Sequence, residues 1–148
     1  MMKEVHKKQV RPKPIANPPR ERGEITFSHP SEQEFARILD FYGIKWRYEP
    51  TTFPLRWDED GHILEAFSPD FYLVEQDLYV ELTTLRPRLM RIKKRKLRLL
   101  RELYPEVNVK LWSRKDFIRF LERFGLEERS QVLVGQEAID NGDAQAKR

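Results

Sequence analysis

Two short apolar and aromatic runs, Phe71–Val74 and Leu78–Leu82, are separated only by Glu75-Gln76-Asp77. Their composition and the polar break between them predict two β-strands joined by a tight turn. A turn centred between Glu75 and Gln76 puts Asp70 directly opposite Glu81. Directly opposed residues of an antiparallel pair share one sheet face, with Cβ atoms about 4.5–5.5 Å apart. Two carboxylates held that way repel each other, and a divalent cation between them reverses the sign of that interaction. The register decides the matter, because a slip of one residue turns Glu81 to the other face. The plain alternative is a solvated acidic pair at a sheet edge.

The rest of the chain bounds what such a hairpin can belong to. With 148 residues there is room for one domain and one core. Hydrophobic residues make up 39% and charged residues 35%, a polar but foldable balance. The formal net charge of +4 favours an anionic partner, of which nucleic acid is the commonest. The absence of cysteine excludes disulfides, thiolate metal sites and cysteine nucleophiles. His6, His29 and His62 are scattered, so a histidine-ligated zinc site is not expected. No apolar run approaches the roughly 18 residues of a membrane span, and the N-terminus lacks a signal-peptide core. The expectation is a soluble cytoplasmic protein with no membrane partner.

Residues 1–24 read as a basic, proline-rich, flexible arm. Lysines and arginines alternate there with Pro12, Pro14, Pro18 and Pro19, and the apolar surface is too small to offset the ordering entropy. Such an arm serves either as a phosphate-seeking tail or as a solubilising linker. Residues 25–126 read as the α/β domain. Ser31 and Glu34 fit a capping box at the start of a helix whose stripe is Phe35, Ile38, Leu39 and Tyr42, and Gly43 stops it. Glu32 borders that buried stripe and is the acid of this helix best placed to reach a site; a first-turn acid facing the helix dipole is the simpler reading. Lys45–Pro50, Thr51–Trp57 and Ile63–Phe67 read as strands, with Pro54 marking an edge or a bulge and Asp58-Glu59-Asp60-Gly61 a solvated hairpin turn.

A long basic helix is predicted from Arg88 to Tyr104, with Leu89, Ile92, Leu97, Leu100, Leu103 and Tyr104 as its apolar stripe. Lys93 and Lys96 fall at about 40° and 340° from Leu89, inside that stripe. Lysines on a buried face must snorkel, neutralise or meet a carboxylate, and the hairpin pair is an obvious one. Arg91, Lys94, Arg95, Arg98 and Arg101 fall on the opposite face. Val107–Trp112 reads as a strand reached by a right-handed crossover, parallel to the strand of Glu81. Ser113 and Asp116 cap a last helix with Phe117, Phe120, Leu121 and Phe124 inward and Gly125 at its end. Residues 127–148 read as a partly disordered extension, with Val132-Leu133-Val134 as either a short strand or a docking segment.

Taken in order, the helix carrying Glu32, the Tyr48-Glu49-Pro50 strand, Pro69-Asp70-Phe71, the Glu81 strand, and the helix and strand after it resemble the PD-(D/E)xK nuclease superfamily. Within it they look most like the small endonuclease subunits of heteromeric transposases. The resemblance covers about Ser31 to Trp112. It implies an α/β fold with a restriction-endonuclease-like core, a mixed central β-sheet flanked by helices. It also implies Mg²⁺- or Mn²⁺-dependent hydrolysis of DNA, the metal held by Asp70, Glu81 and the Leu82 carbonyl, with Glu32 completing the shell. The sequence departs from the family at Thr83, which stands where Glu-x-Lys has its lysine. Lys93, and after it Lys96, are then the candidates for a lysine that has migrated to the following helix. The alternative is a catalytically inactive nuclease fold used for nucleic-acid binding or assembly; a small accessory domain is a third. A homodimer or larger complex fits an enzyme that must cut two strands.

Overall fold

The computed structural model describes residues 10–132. Its strands are β1 (Ile15–Ala16), β2 (Trp46–Tyr48), β3 (Thr51–Trp57), β4 (Ile63–Phe67), β5 (Phe71–Leu73), β6 (Leu78–Leu82) and β7 (Val109–Trp112). Its helices are α1 (Pro30–Phe41), α2 (Pro87–Leu103) and α3 (Arg114–Val132), with a 3₁₀ turn at Arg22–Glu24. The fold is mixed α/β. The strands form two sheets rather than one, in the orders β1-β3-β4 and β2-β5-β6-β7. The chain divides after Leu111 into two compact units.

The β5–β6 hairpin takes the register its sequence predicts. Phe71 faces Val80, Tyr72 faces Tyr79 and Leu73 faces Leu78, so the next pair outward is Asp70 and Glu81. Asp77 closes the turn at φ 49°, and the Tyr72 hydroxyl donates to its carboxylate at 2.8 Å. Strand β2 adds to the other side of β5, Trp46 facing Leu73 and Tyr48 facing Phe71. Helix α1 covers this sheet through Phe35, whose ring centroid lies 4.8 Å from that of Phe71. Phe27, Trp46 and Tyr48 complete an aromatic cluster around Phe71.

A second cluster joins Phe53, Leu55 and Phe67 of the three-stranded sheet to Leu97, Leu100 and Tyr104 of α2 and its end. The Tyr104 hydroxyl donates to the Pro54 carbonyl at 2.8 Å. Pro54 sits where the β3–β4 register shifts, which is how a strand accommodates a residue without an N–H.

Several local expectations are corrected. Helix α1 starts at Pro30, and His29 caps it by accepting from the Ser31 N–H at 3.2 Å, so the Ser31–Glu34 box does not form. Proline at the first helical position fixes φ and needs no donor, and it moves the cap two residues earlier, from Ser31 to His29. Leu89 and Ile92 are exposed, and burial along α2 begins in earnest at Leu97. On the basic face, Arg95 ion-pairs with Glu65, and Arg101 donates to the Val109 carbonyl at 3.1 Å.

The arm expected over 1–24 is, from residue 10, part of the fold. Ile15 and Ala16 pair with Thr52 and Thr51 of β3. Arg11 lies over the Tyr104 ring and pairs with Glu106, while Arg20 pairs with Glu49 and Arg22 with Asp40. Backbone pairing and cation–π contacts supply here the stabilisation that the arm's few apolar residues cannot. Lys3, Lys7 and Lys8 lie outside the described residues.

In the second unit, Ser113 and Asp116 do form a reciprocal cap, with the Ser113 N–H donating to Asp116 Oδ2 at 2.9 Å and the Asp116 N–H to Ser113 Oγ at 3.3 Å. Phe120 packs 5.0 Å from Trp112, centroid to centroid. Helix α3 continues through Gly125 to Val132, since one interior glycine costs only about 1 kcal/mol and good helix formers follow it. Of the segment proposed as a strand, Val132 is helical, and Leu133 and Val134 lie outside the described residues with the rest of the extension.

Candidate functional site

The site forms where β5 begins and β6 ends. Pro69 is fully buried and the chain bends at Asp70 as it enters β5, where the Asp70 side chain is buried. Asp70 and Glu81 are both buried, at 7% and 5% exposure. Each carboxylate is held by the other's strand: the Asp70 N–H donates to Glu81 Oε1 at 3.0 Å, and the Leu82 N–H donates to Asp70 Oδ2 at 3.0 Å. The Asp70 carbonyl in turn accepts from the Glu49 N–H at 2.8 Å, with Glu49 in the left-handed region at φ 44°.

Lys93 enters from the second turn of α2. Its Nζ lies 3.1 Å from Glu81 Oε2 and donates to the Leu82 carbonyl at 2.5 Å. Thus Asp70, Glu81, Leu82 and Lys93 are brought together. Lys96, on the same helix face, is not with them. Its ammonium lies 3.5 Å from the Ala66 carbonyl and 5.9 Å from the Phe67 ring centroid, one helical turn further from the strand end. Thr83 makes none of these contacts.

Glu32 is buried at 8% exposure in the first turn of α1. Its Oε1 accepts from the Tyr48 hydroxyl at 2.6 Å and from the Ser28 N–H at 3.3 Å. It reaches Asp70 through its charge rather than through a hydrogen bond. Burial, followed by the charge of Glu81 and more weakly that of Glu32, pushes the Asp70 carboxyl up to about 8; the Leu82 N–H and Lys93 pull against this. Burial also raises Glu81, with the Lys93 ammonium and its hydrogen bond opposing. Tyr48 is pushed up to about 12 by burial and by its bond to Glu32, so it is a donor throughout the physiological range.

Tyr48 is the member that the sequence does not announce. Its signal is the alternation Trp46-Arg47-Tyr48, which turns residues 46 and 48 to the face of Phe71 and Leu73. That pattern marks the ring as buried but says nothing of where the hydroxyl goes.

The donor set consists of carboxylate and carbonyl oxygens, with no sulfur or imidazole. Asp70 and Glu81 are buried together with the Lys93 ammonium on Glu81, and the buried Glu32 acts on Asp70 by its charge. That composition fits a hard divalent cation, which takes oxygen ligands and offsets the excess negative charge. The Leu82 carbonyl has a second lone pair beside the one used by Lys93. A separate cluster of Asp58, Asp60 and His62 brings ligand atoms within 4.8 Å of one another in the β3–β4 turn. The turn's own hydrogen bonds explain it: Asp58 Oδ1 accepts from the Asp60 and His62 N–H groups at 2.9 and 2.8 Å.

Among the described residues no helix is long and apolar enough to cross a membrane. In comparisons with family models, curated proteins and solved structures, the chain matches none.

Proposed function

We propose that this chain is a Mg²⁺- or Mn²⁺-dependent DNA endonuclease with a restriction-endonuclease-like core of the PD-(D/E)xK type. The observation that carries the reading is the joint burial of Asp70 and Glu81 on one sheet face, with the Lys93 ammonium on Glu81 and on the Leu82 carbonyl. An acid pair at a solvated sheet edge would have neither the burial nor the lysine. Asp70, Glu81 and the Leu82 carbonyl would hold the ion, with Glu32 behind them. When bound, a divalent ion supplies Lewis-acid polarisation of a phosphoryl oxygen and neutralises charge there.

The chain's own groups do the rest. Lys93 orients the attacking water by hydrogen bonding and offsets negative charge that develops on the phosphoryl group. It performs the task that Thr83, neutral and on the strand, cannot. Tyr48 fixes the Glu32 carboxylate by donating to it. The water oxygen bonds to phosphorus as the opposite ester P–O bond breaks, and the elements of that water end up on a phosphate and a hydroxyl. Exposed Arg88, Arg91, Lys94 and Arg98 of α2 supply cations for the backbone phosphates.

The test is cleavage of supercoiled plasmid and of branched DNA with Mg²⁺ or Mn²⁺, comparing the wild type with Asp70→Ala. Nicking that needs the metal and disappears in the variant is expected. The absence of a lysine at Thr83 favours a second reading, an inactive nuclease fold that binds nucleic acid. It predicts metal-independent DNA binding that Asp70→Ala leaves unchanged, with no cleavage of any substrate, and that outcome would replace the first reading.

A further inference from the structure

The segment between β6 and the site-bearing part of α2 presents apolar side chains to solvent. Leu85 is fully exposed, and Leu89 and Ile92 are 40% and 39% exposed. A single exposed leucine is ordinary on a protein surface. The position of this one is not. Leu85 lies three residues beyond Leu82, whose carbonyl Lys93 holds, and Leu89 is one helical turn before Lys93, with about 5–6 Å between their Cβ atoms. Ile92 is the neighbour of Lys93 and lies on the Leu89 side of the helix.

The tip is also braced. The Thr84 N–H donates to Met90 Sδ at 3.4 Å, and the Arg86 N–H donates to Thr84 Oγ1 at 3.3 Å. Leu85 is therefore held out by a turn tied back to α2. Around it the cations are unpaired. Arg11, Arg22, Arg56 and Arg95 all meet carboxylates of this chain. Among the described residues Arg86, Arg88, Arg91 and Lys94, all exposed, meet none. An apolar point in a field of free guanidinium groups is complementary to a polyanion that offers apolar faces between its charges. Nucleic acid has that chemistry, with stacked bases inside and phosphates outside; aliphatic wedges open base steps by insertion.

We infer that Leu85, backed by Leu89 and Ile92, is a wedge that enters a base step beside the phosphate held at Asp70, Glu81 and Lys93. The inference rests on the endonuclease reading and adds the substrate class: DNA in which that step is already weakened by a mismatch, nick or branch. Unstacking a sound step costs a few kcal/mol, and a weakened step does not exact it. A preference of about tenfold or more for the weakened substrate follows, one decade being the smallest share of that cost.

The experiment measures binding by anisotropy, with Ca²⁺ in place of Mg²⁺, to a duplex carrying 2-aminopurine at a defined mismatch and to its fully paired counterpart. The wild type is expected to favour the mismatched duplex about tenfold and to raise 2-aminopurine fluorescence on binding. Leu85→Ala, which touches no core, is expected to bind the paired duplex as the wild type does, to lose most of the preference and to leave the fluorescence low. Leu85→Lys adds charge and is expected to bind both duplexes without the fluorescence rise. DNA binding by the wild type with unchanged 2-aminopurine emission, or a preference that survives Leu85→Ala, would overturn the wedge and leave the endonuclease reading standing. No binding to either duplex would overturn both.

Discussion

Replacing Asp70 by asparagine should make the metal-free protein more stable, and more so as pH rises. In the unfolded chain this carboxyl ionises near its ordinary value of 3.8; in the fold, burial and the neighbouring charge of Glu81 push it up to about 8. Between those values the folded state binds the proton and the unfolded state does not. The stability that goes with that proton is fully present below pH 3.8 and is lost as pH climbs through 8. At about 1.36 kcal/mol per pKa unit, the ceiling on the loss is about 6 kcal/mol. The opposing pulls of the Leu82 N–H and Lys93 are already contained in that raised value, and about 4 kcal/mol of the loss falls between pH 5 and pH 8. Asparagine keeps an oxygen for the Leu82 N–H and has no charge to bury, so Asp70→Asn escapes this loss. Urea unfolding in EDTA at pH 5, 6.5 and 8 measures the gap directly. The gap should widen by about 4 kcal/mol from pH 5 to pH 8 in favour of the variant. A gap independent of pH, or a variant less stable than wild type at pH 8, would refute the account of a carboxylate held against its own ionisation.

On the proposed function, the same proton competes with the divalent ion. Thermal stabilisation of the wild type by Mg²⁺ should therefore strengthen from pH 6 to pH 8, reaching about 2.7 kcal/mol at a hundredfold excess over Kd, and should be lost in Asp70→Asn. Plasmid nicking should fall about 10²–10³-fold in Lys93→Ala and stay near wild type in Lys96→Ala; full activity in both variants would defeat the idea of a lysine supplied by α2. Tyr48→Phe leaves the buried Glu32 short of its best donor, and chemical unfolding should show a loss of about 1–3 kcal/mol. Leu97→Ala removes a side chain at 2% exposure from the core cluster and should cost about 2–5 kcal/mol, with nicking reduced as well because α2 carries Lys93.

What could be read from the sequence is what local rules determine. The pairing of Asp70 with Glu81 followed from a short polar turn between two alternating runs, because a period of two leaves one register that buries Phe71, Leu73 and Val80 together. The inward aim of Lys93 followed from helical periodicity. Periodicity could not say where along α2 the core ends. It placed Leu89 and Ile92 in the same stripe as Leu97, yet only contacts from distant strands decide that Leu97 is covered and the other two are not. The same blindness to long-range contacts separated Lys96 from Lys93, which share a helix face but meet different strands. It hid the arm, where pairing of Ile15 and Ala16 with β3 and the ring contacts of Arg11, Arg20 and Arg22 replace apolar burial. It hid Tyr48 as well, because the partner of its hydroxyl lies 16 residues earlier on another element.

The origin of the lysine matters for how this site is held together. A lysine on the strand, two residues after Glu81, would have its position fixed by the same ladder that fixes the carboxylates. Lys93 instead depends on the docking of α2, which is secured at Leu97, Leu100 and Tyr104, all of them C-terminal to it. The turn before Lys93 has Leu89 and Ile92 exposed, and the tip at Leu85 is tied down through Thr84, Arg86 and Met90. The ammonium thus sits at the boundary between the anchored and the unanchored parts of the helix. Its contacts with Glu81 and the Leu82 carbonyl are themselves what joins that part of α2 to the strand end. A group bound at the exposed tip would act on the same lever arm as the lysine. On the proposed endonuclease reading, substrate engagement and placement of the charge at the phosphate would be coupled through one helix, a coupling that a strand-borne lysine would not provide.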